Sequence, residues 1–392
     1  MFSILGGSVF LAPVTVGGQE FKVVIDTGSS DPWLAETGFQ CVDYITDEYI
    51  DEAGCQFGPL YSRTASSTYK PYPDRSMNLS YADGETLNGL MGFDAFTMGG
   101  LTVPMQEFGR VNYAAWHGDG VSSGLLGFAY QTLTSMYEGE NPKLAKPGTA
   151  LKYNPFFDNL YESNTTAPVF SMALTRETNY DGTGGLMGLG GYPNVPFSPS
   201  WITVPILPVG VDSANQKVYQ FYSVTVDGFS ISSDQSAMFA PVAEARQNKR
   251  KTALRGPPPD PENPARDPND TSVIAIVDSG TTLVYLDDTI ALAVAEAFTP
   301  PGFFNETTEM YEVPCGSTPP VFGVSIGGKV FNTNPDDMKL QYSETQCSSV
   351  VQGNHGGLWI LGDAWMKSVL CVFDVGAGNM RFAGRQYYGL SW

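Results

Sequence analysis

Asp26 and Asp278 are the residues of this chain whose setting calls for a chemical explanation. The first closes Val24-Ile25-Asp26-Thr27-Gly28-Ser29-Ser30. The second closes Ile276-Val277-Asp278-Ser279-Gly280-Thr281-Thr282, the same order of residue types. Each is a β-branched run, which reads as a buried strand, ending in an acid. A buried carboxylate is costly unless hydrogen-bonded. The following glycine lets the backbone turn tightly beside the acid, and the hydroxyls are donors for it. Two such stretches suggest half-sites that meet. Two carboxylates brought together cannot both ionise, so they share a proton and serve as acid and base in one reaction.

These acids need strands to hold them, and the composition agrees. The 392 residues include 43 Gly, 28 Pro and 12% aromatics, which favours a β-rich chain large enough for two lobes. Residues 1–30 read as two strands joined at Gly17-Gly18, and Pro32-Trp33-Leu34 as another. Residues 35–75 form a long polar segment. Met77 to Leu87 reads as a hairpin turning at Asp83-Gly84, and Tyr219 to Ile231 as a hairpin turning at Asp227-Gly228. Ser123 to Phe128 is an apolar strand, Asn154 to Tyr161 a short helix, and Ile360 to Asp363 a further strand. A helix is expected from Asp288, as N-cap, to Phe298, with Pro300 beyond it. Leu125-Leu126-Gly127 and Ile360-Leu361-Gly362 extend the repeat seen at the acids. The basic run at 246–251 and the proline-rich stretch after it mark 241–272 as a solvated insertion.

The net charge of −20 argues against a nucleic-acid partner and suits work in acid. Of five cysteines, Cys41 with Cys55 and Cys315 with Cys347 are the natural pairs, each within one half, leaving Cys371 as a buried thiol. N-x-[ST] sequons at Asn78, Asn164, Asn269 and Asn305, with sparse cysteines, favour the secretory pathway. Neither a membrane anchor nor a basic signal region is visible. The chain therefore reads as a mature domain or as part of a longer coding sequence, secreted or held in an acidic vacuole.

Asp26-Thr27-Gly28-Ser29-Ser30 with Trp33, Asp278-Ser279-Gly280-Thr281-Thr282, Tyr81-Ala82-Asp83-Gly84 and the blocks 123–130 and 360–382 occur in the order of the pepsin family of aspartic endopeptidases. The chain resembles that family over nearly its whole length. The resemblance implies an all-β fold of two pseudo-twofold-related, barrel-like lobes with a few short helices, here 1–170 and 171–392, and a cleft between them. It implies an Asp26/Asp278 dyad. Thr27 and Ser279 would tie the two loops together, Ser29 and Thr281 would hydrogen-bond the outer carboxylate oxygens, and Gly28 and Gly280 would give close approach. Tyr81 and Gly84 would belong to a flap over the substrate, with Trp33 as the partner of Tyr81. Asp83 would accept a lysine on the acyl side of the cut. Val24, Tyr81 and Leu125 would line an apolar subsite for large hydrophobic residues. The implied partners are peptide substrates and an upstream prosegment, for a monomer needing neither metal nor cofactor. Ser279 stands where threonine is commoner, and Ala82 where glycine is usual.

Other classes of function fit less well. Gly120-Val121-Ser122-Ser123-Gly124 and Gly323-Val324-Ser325-Ile326-Gly327 both satisfy the G-x-S-x-G pattern of serine hydrolases, with only His117 and His355 as possible bases. Neither has the expected strand-to-helix context. A non-catalytic peptide-binding relative would be marked by loss of a dyad aspartate, and both are present. Zinc-site spacings do not occur.

Overall fold

The structure is a computed structural model that describes residues 1–43, 45–146, 148–176, 181–232 and 272–385. The expected insertion at 241–272 and the sequon at Asn269 lie outside the described residues, Ser272 excepted. The chain divides into two compact units, each predominantly of strands. The first runs from Met1 to Pro168 and also takes in the strand Asp181–Thr183 and the segment Pro208–Phe221. The second comprises the described residues of Val169–Arg176, Gly185–Leu207 and Tyr222–Trp392. The units are thus not uninterrupted halves, because Asp181–Thr183 pairs with Phe2–Ile4 at the start of the chain.

The strands of the first unit are β1 (Phe2–Ile4), β2 (Val9–Val16), β3 (Gln19–Asp26), β4 (Pro32–Val42), β5 (Tyr49–Ile50), β6 (Lys70–Ser80), β7 (Thr86–Met98), β8 (Leu101–Ala115), β9 (Gly124–Gly127) and β10 (Met136–Glu138). With Asp181–Thr183 they make one sheet, in which β5 hangs from β4 and the path runs β10-β6-β7-β8-β4-β9-β3-β2-β1. The Gly17-Gly18 hairpin is present, pairing Val16 with Gln19. The opening stretch contains three strands rather than two: Leu5, Gly6 and Gly7 all have positive φ and turn β1 into β2. The polar segment also begins later than expected, because β4 runs on to Val42 beside the parallel β8. A helix, α1 (Phe156–Glu162), closes this unit.

In the second unit the strand Val273–Val277 lies between Ser223–Val226 and the short parallel strand Ile360–Leu361. A separate five-stranded sheet packs Phe170 face to face with Phe373, ring centroids 4.5 Å apart. The expected hairpin at Asp227-Gly228 is absent. Ser223–Val226 pairs with Val273–Val277, whereas Gly228–Ser232 pairs with Val321–Ile326 in another sheet. The Asp227 carboxylate accepts from the backbone N–H of Gly328, so this Asp-Gly makes a corner between sheets. Helix α2 (Asp288–Glu296) is capped one residue earlier than expected, by Asp287, whose side chain accepts from the Thr289 N–H. After Ile360–Leu361 the chain does not continue as a strand: Asp363–Met366 is a helical turn, α3. Cys41–Cys55 and Cys315–Cys347 are disulfides, and Cys371 is a buried free thiol whose pKa burial pushes far up. Among the described residues no helix is long and apolar enough to cross a membrane.

Candidate active site

Strand β3 delivers Asp26, and the parallel β9 flanks it in the register Val24–Leu125, Ile25–Leu126, Asp26–Gly127. The side chain of Asp26 is almost wholly buried. Its Oδ1 accepts from the Gly28 N–H at 2.7 Å and its Oδ2 from the Ser29 hydroxyl. Its carbonyl accepts from the Phe128 N–H at 2.7 Å. Gly127 allows the loop to lie this close: a Cβ there would sit 2.4 Å from the Ser30 carbonyl carbon.

The second unit builds the same cradle. Asp278 follows the strand Val273–Val277 and is buried. Its Oδ1 accepts from the Gly280 N–H at 2.9 Å and its Oδ2 from the Thr281 hydroxyl at 2.7 Å. Its own N–H donates to the Leu361 carbonyl. A Cβ on Gly362 would meet the Leu283 carbonyl oxygen at 2.1 Å, so this glycine, like Gly127, is needed for close approach. Thr27 and Ser279 are both buried. In each loop a backbone N–H and a hydroxyl satisfy different oxygens of one acid, so neither buried carboxyl is left without hydrogen bonds.

Near Asp26 the first unit adds an aromatic-flanked turn. Strands β6 and β7 pair up to Ser80–Thr86, and the turn between them carries Tyr81, Asp83 and Gly84. Gly84 has φ +98° and closes the turn through its N–H to the Tyr81 carbonyl. The Trp33 indole N–H donates to the Tyr81 hydroxyl at 2.8 Å. Burial, then the nearby Asp26 charge, holds the Tyr81 phenol far above its usual pKa, so it stays neutral. Val24, Trp33, Tyr81 and Leu125 belong to one apolar cluster. Asp83 is exposed, and its Oδ1 accepts from the Glu85 N–H.

Three further residues complete this neighbourhood. Trp116 packs edge-on against both Trp33 and Tyr81, at 5.3 and 5.7 Å, and stacks on Phe57. It reaches them because β8 runs beside β7, with Ala115 opposite Thr86, and no local motif announces that pairing. Glu85 tethers the turn to the same segment by accepting from the His117 N–H at 2.8 Å, and burial raises its pKa to about 8. Asp31, next to Pro32 at the start of β4, is fully buried. It accepts from the Tyr153 hydroxyl at 2.6 Å and the Ser135 N–H at 2.9 Å, and burial raises its pKa to about 6. Its position directly after the hydroxyl run of the first loop was the available signal.

The G-x-S-x-G serines have no nucleophile-elbow setting. Ser122 and Ser123 are buried in the loop entering β9, and Ser325 lies within the strand Val321–Ile326. His355 lies beside Asp288, and His117 meets Glu85 through its backbone.

Comparison with known proteins agrees with this reading. The family profile "Eukaryotic aspartyl protease" matches residues 9–245 and 265–385. The chain is 35% identical over 393 aligned residues to a probable aspartic-type endopeptidase of Aspergillus fumigatus, covering 98% of this chain and 80% of that one. It is 27% identical to rhizopuspepsin-2 of Rhizopus niveus, covering 93% and 76%. The fold is similar to that of the aspartic proteinase from Irpex lacteus, with a TM-score of 0.66 at 17% identity, covering 99% of this chain and 98% of that one. The chain belongs to the eukaryotic aspartyl protease family and is an aspartic endopeptidase.

Proposed function

We propose that Asp26 and Asp278 form one catalytic dyad that hydrolyses peptide bonds in acid. The observation that carries this reading is the duplicated cradle, in which each acid is held by the N–H of the second residue after it and the hydroxyl of the third. The dyad works with one proton. The ionised carboxylate takes a proton from a water as that water attacks the scissile carbonyl carbon. The protonated carboxyl donates to the carbonyl oxygen, and the tetrahedral intermediate forms. The proton gained by the first acid then passes to the leaving nitrogen as the C–N bond breaks. Thr27 and Ser279 brace the loops, and Gly28 and Gly280 keep the backbone close to the acids.

Tyr81, held by Trp33 and flanked by Trp116, covers the bound peptide and excludes water. Val24, Leu125 and Tyr81 favour large apolar residues beside the cut, and the exposed Asp83 receives a lysine there. The enzyme acts as a monomer, is secreted or vacuolar, and is made with an upstream prosegment. Its similarity to an Aspergillus fumigatus endopeptidase and to rhizopuspepsin-2 supports the secreted or vacuolar placement.

The test is hydrolysis of denatured haemoglobin or casein across pH 3 to 7 by the chain expressed with its upstream coding region. The proposal expects cleavage in acid, inhibition by statine-type transition-state mimics, and its loss in Asp26→Asn. Equal cleavage by variant and parent would overturn the dyad. Loss of activity to a serine reagent would favour the hydrolase alternative.

A further inference from the structure

On the first unit, away from Asp26 in sequence, four side chains lie in register across one face of the sheet. Asn78 on β6 is opposite Asn88 on β7, Asn88 opposite Tyr113 on β8, and Tyr113 opposite Gln40 on β4. Directly opposed residues share a face at contact distance. The sheet is irregular here. The register slips between Asn88 and Gly89, leaving Asn112 as an extra residue on β8. A bulge re-aims the extra side chain, and Asn112 joins Tyr113 at the same cavity.

That cavity, of about 380 Å³, is lined by Gln40, Asn88, Asn112, Tyr113, Asn141 and Lys143, together with Gly38 and Pro142. Its size is that of a small-ligand site, but its walls are carboxamides rather than aliphatic groups. Lys143 Nζ lies over the Tyr113 ring at 5.8 Å. Carboxamides that both donate and accept, one aromatic face and the Lys143 ammonium suit a polyhydroxylated ligand carrying an amide group. Asn78 stands at the rim. It begins a sequon, and its Nδ2, the atom that would carry a glycan, donates to the Pro142 carbonyl at 3.3 Å, which places it beside the cavity lining.

We propose that this cavity is a saccharide site for the N-acetylglucosamine units of an N-linked glycan, whose hydroxyl and N-acetyl groups exchange hydrogen bonds with the lining carboxamides and whose ring lies on Tyr113. The glycan comes either from Asn78 itself or from a glycoprotein substrate. This inference does not depend on the dyad, because binding is read without turnover.

The chain made in a non-glycosylating host is titrated with N,N′-diacetylchitobiose and followed by calorimetry. Saturable binding is expected, weakened about tenfold in Asn88→Ala and in Tyr113→Ala, the change for one lost polar or stacking contact. Thermal unfolding of the same samples reports that the variants are folded. The chain secreted from yeast then separates the sources. If its own glycan fills the cavity, peptide mapping finds a glycan on Asn78, chitobiose no longer binds, and Ser80→Ala restores binding. If Asn78 is bare and chitobiose binds, the glycan comes from another molecule. Absence of saturable binding by the unglycosylated chain, or unchanged binding in both folded variants, overturns the proposal.

Discussion

The loop at Asp26 and the loop at Asp278 hold their carboxylates in the same way but differ in what surrounds them. Both end a strand flanked by a short parallel partner, and both require a glycine in that partner's block, Gly127 or Gly362. The fifth position after each acid differs: Asp31 in the first loop is a buried carboxyl, whereas Leu283 in the second is a buried apolar side chain. The turn carrying Tyr81, the Trp33 and Trp116 rings beside it and the Glu85 tether all belong to the first unit. The duplicated part is the cradle of each acid. The part that differs is an aromatic-flanked turn and an additional buried acid, Asp31.

The largest expected effect tests the symmetry. Asp26→Asn and Asp278→Asn should each lower kcat for haemoglobin hydrolysis about 10³-fold or more, because each removes one partner of the shared proton. A variant that retained near-parental turnover would show that the two loops are not equivalent.

Asp31 sharpens the difference between the loops. Its folded pKa is raised to about 6 from 3.8, chiefly by burial. Between those values the folded protein holds a proton that the unfolded chain has released. Stability therefore falls as pH rises from about 4 to about 6 and is level above that range. The penalty at pH 7 is about 3 kcal/mol for a group this buried. Glu85 and Asp158, raised by burial to about 8 and about 7, tilt stability in the same direction. In urea unfolding, Asp31→Asn should be more stable relative to the parent at pH 7 than at pH 4. An unchanged difference between the two pH values would refute the assignment.

Gly127→Ala and Gly362→Ala should cost similar amounts, roughly 1–3 kcal/mol each by overpacking, since both would push a Cβ into backbone. Thermal midpoints compare the two directly. The smallest effect is expected from the cradle hydroxyls. Ser29→Ala and Thr281→Val each delete a donor to an oxygen of one acid. An activity loss of about tenfold in kcat/KM is expected for each. A loss in one variant only would show that the two cradles are not equivalent.

The two carboxylate loops were legible in the sequence because their chemistry is local: acid, glycine and hydroxyl lie within four residues of one another. Tyr81 and the Asp83-Gly84 turn were legible for the same reason. The Asp227-Gly228 turn was misread, because whether an Asp-Gly closes a hairpin or turns a corner depends on where the next strand pairs. Here that partner is Val321–Ile326, far along the chain. Trp116, Glu85 and Asp31 were not found because their roles arise from the β7–β8 pairing, the His117 backbone and Tyr153. The helix from Asp288 was found, but its cap fell on the neighbouring Asp287, since two consecutive acids offer the same chemistry one residue apart.

The central claim is that Asp26 and Asp278 act as one group, and a double-variant cycle tests it most directly. The parent, Asp26→Asn, Asp278→Asn and the double variant are compared by kcat on one peptide at the pH of maximal activity. If the two acids share the catalytic proton, the double variant loses about as much as either single variant. Losses that multiply in the double variant would contradict the account, because they would mean two acids working independently.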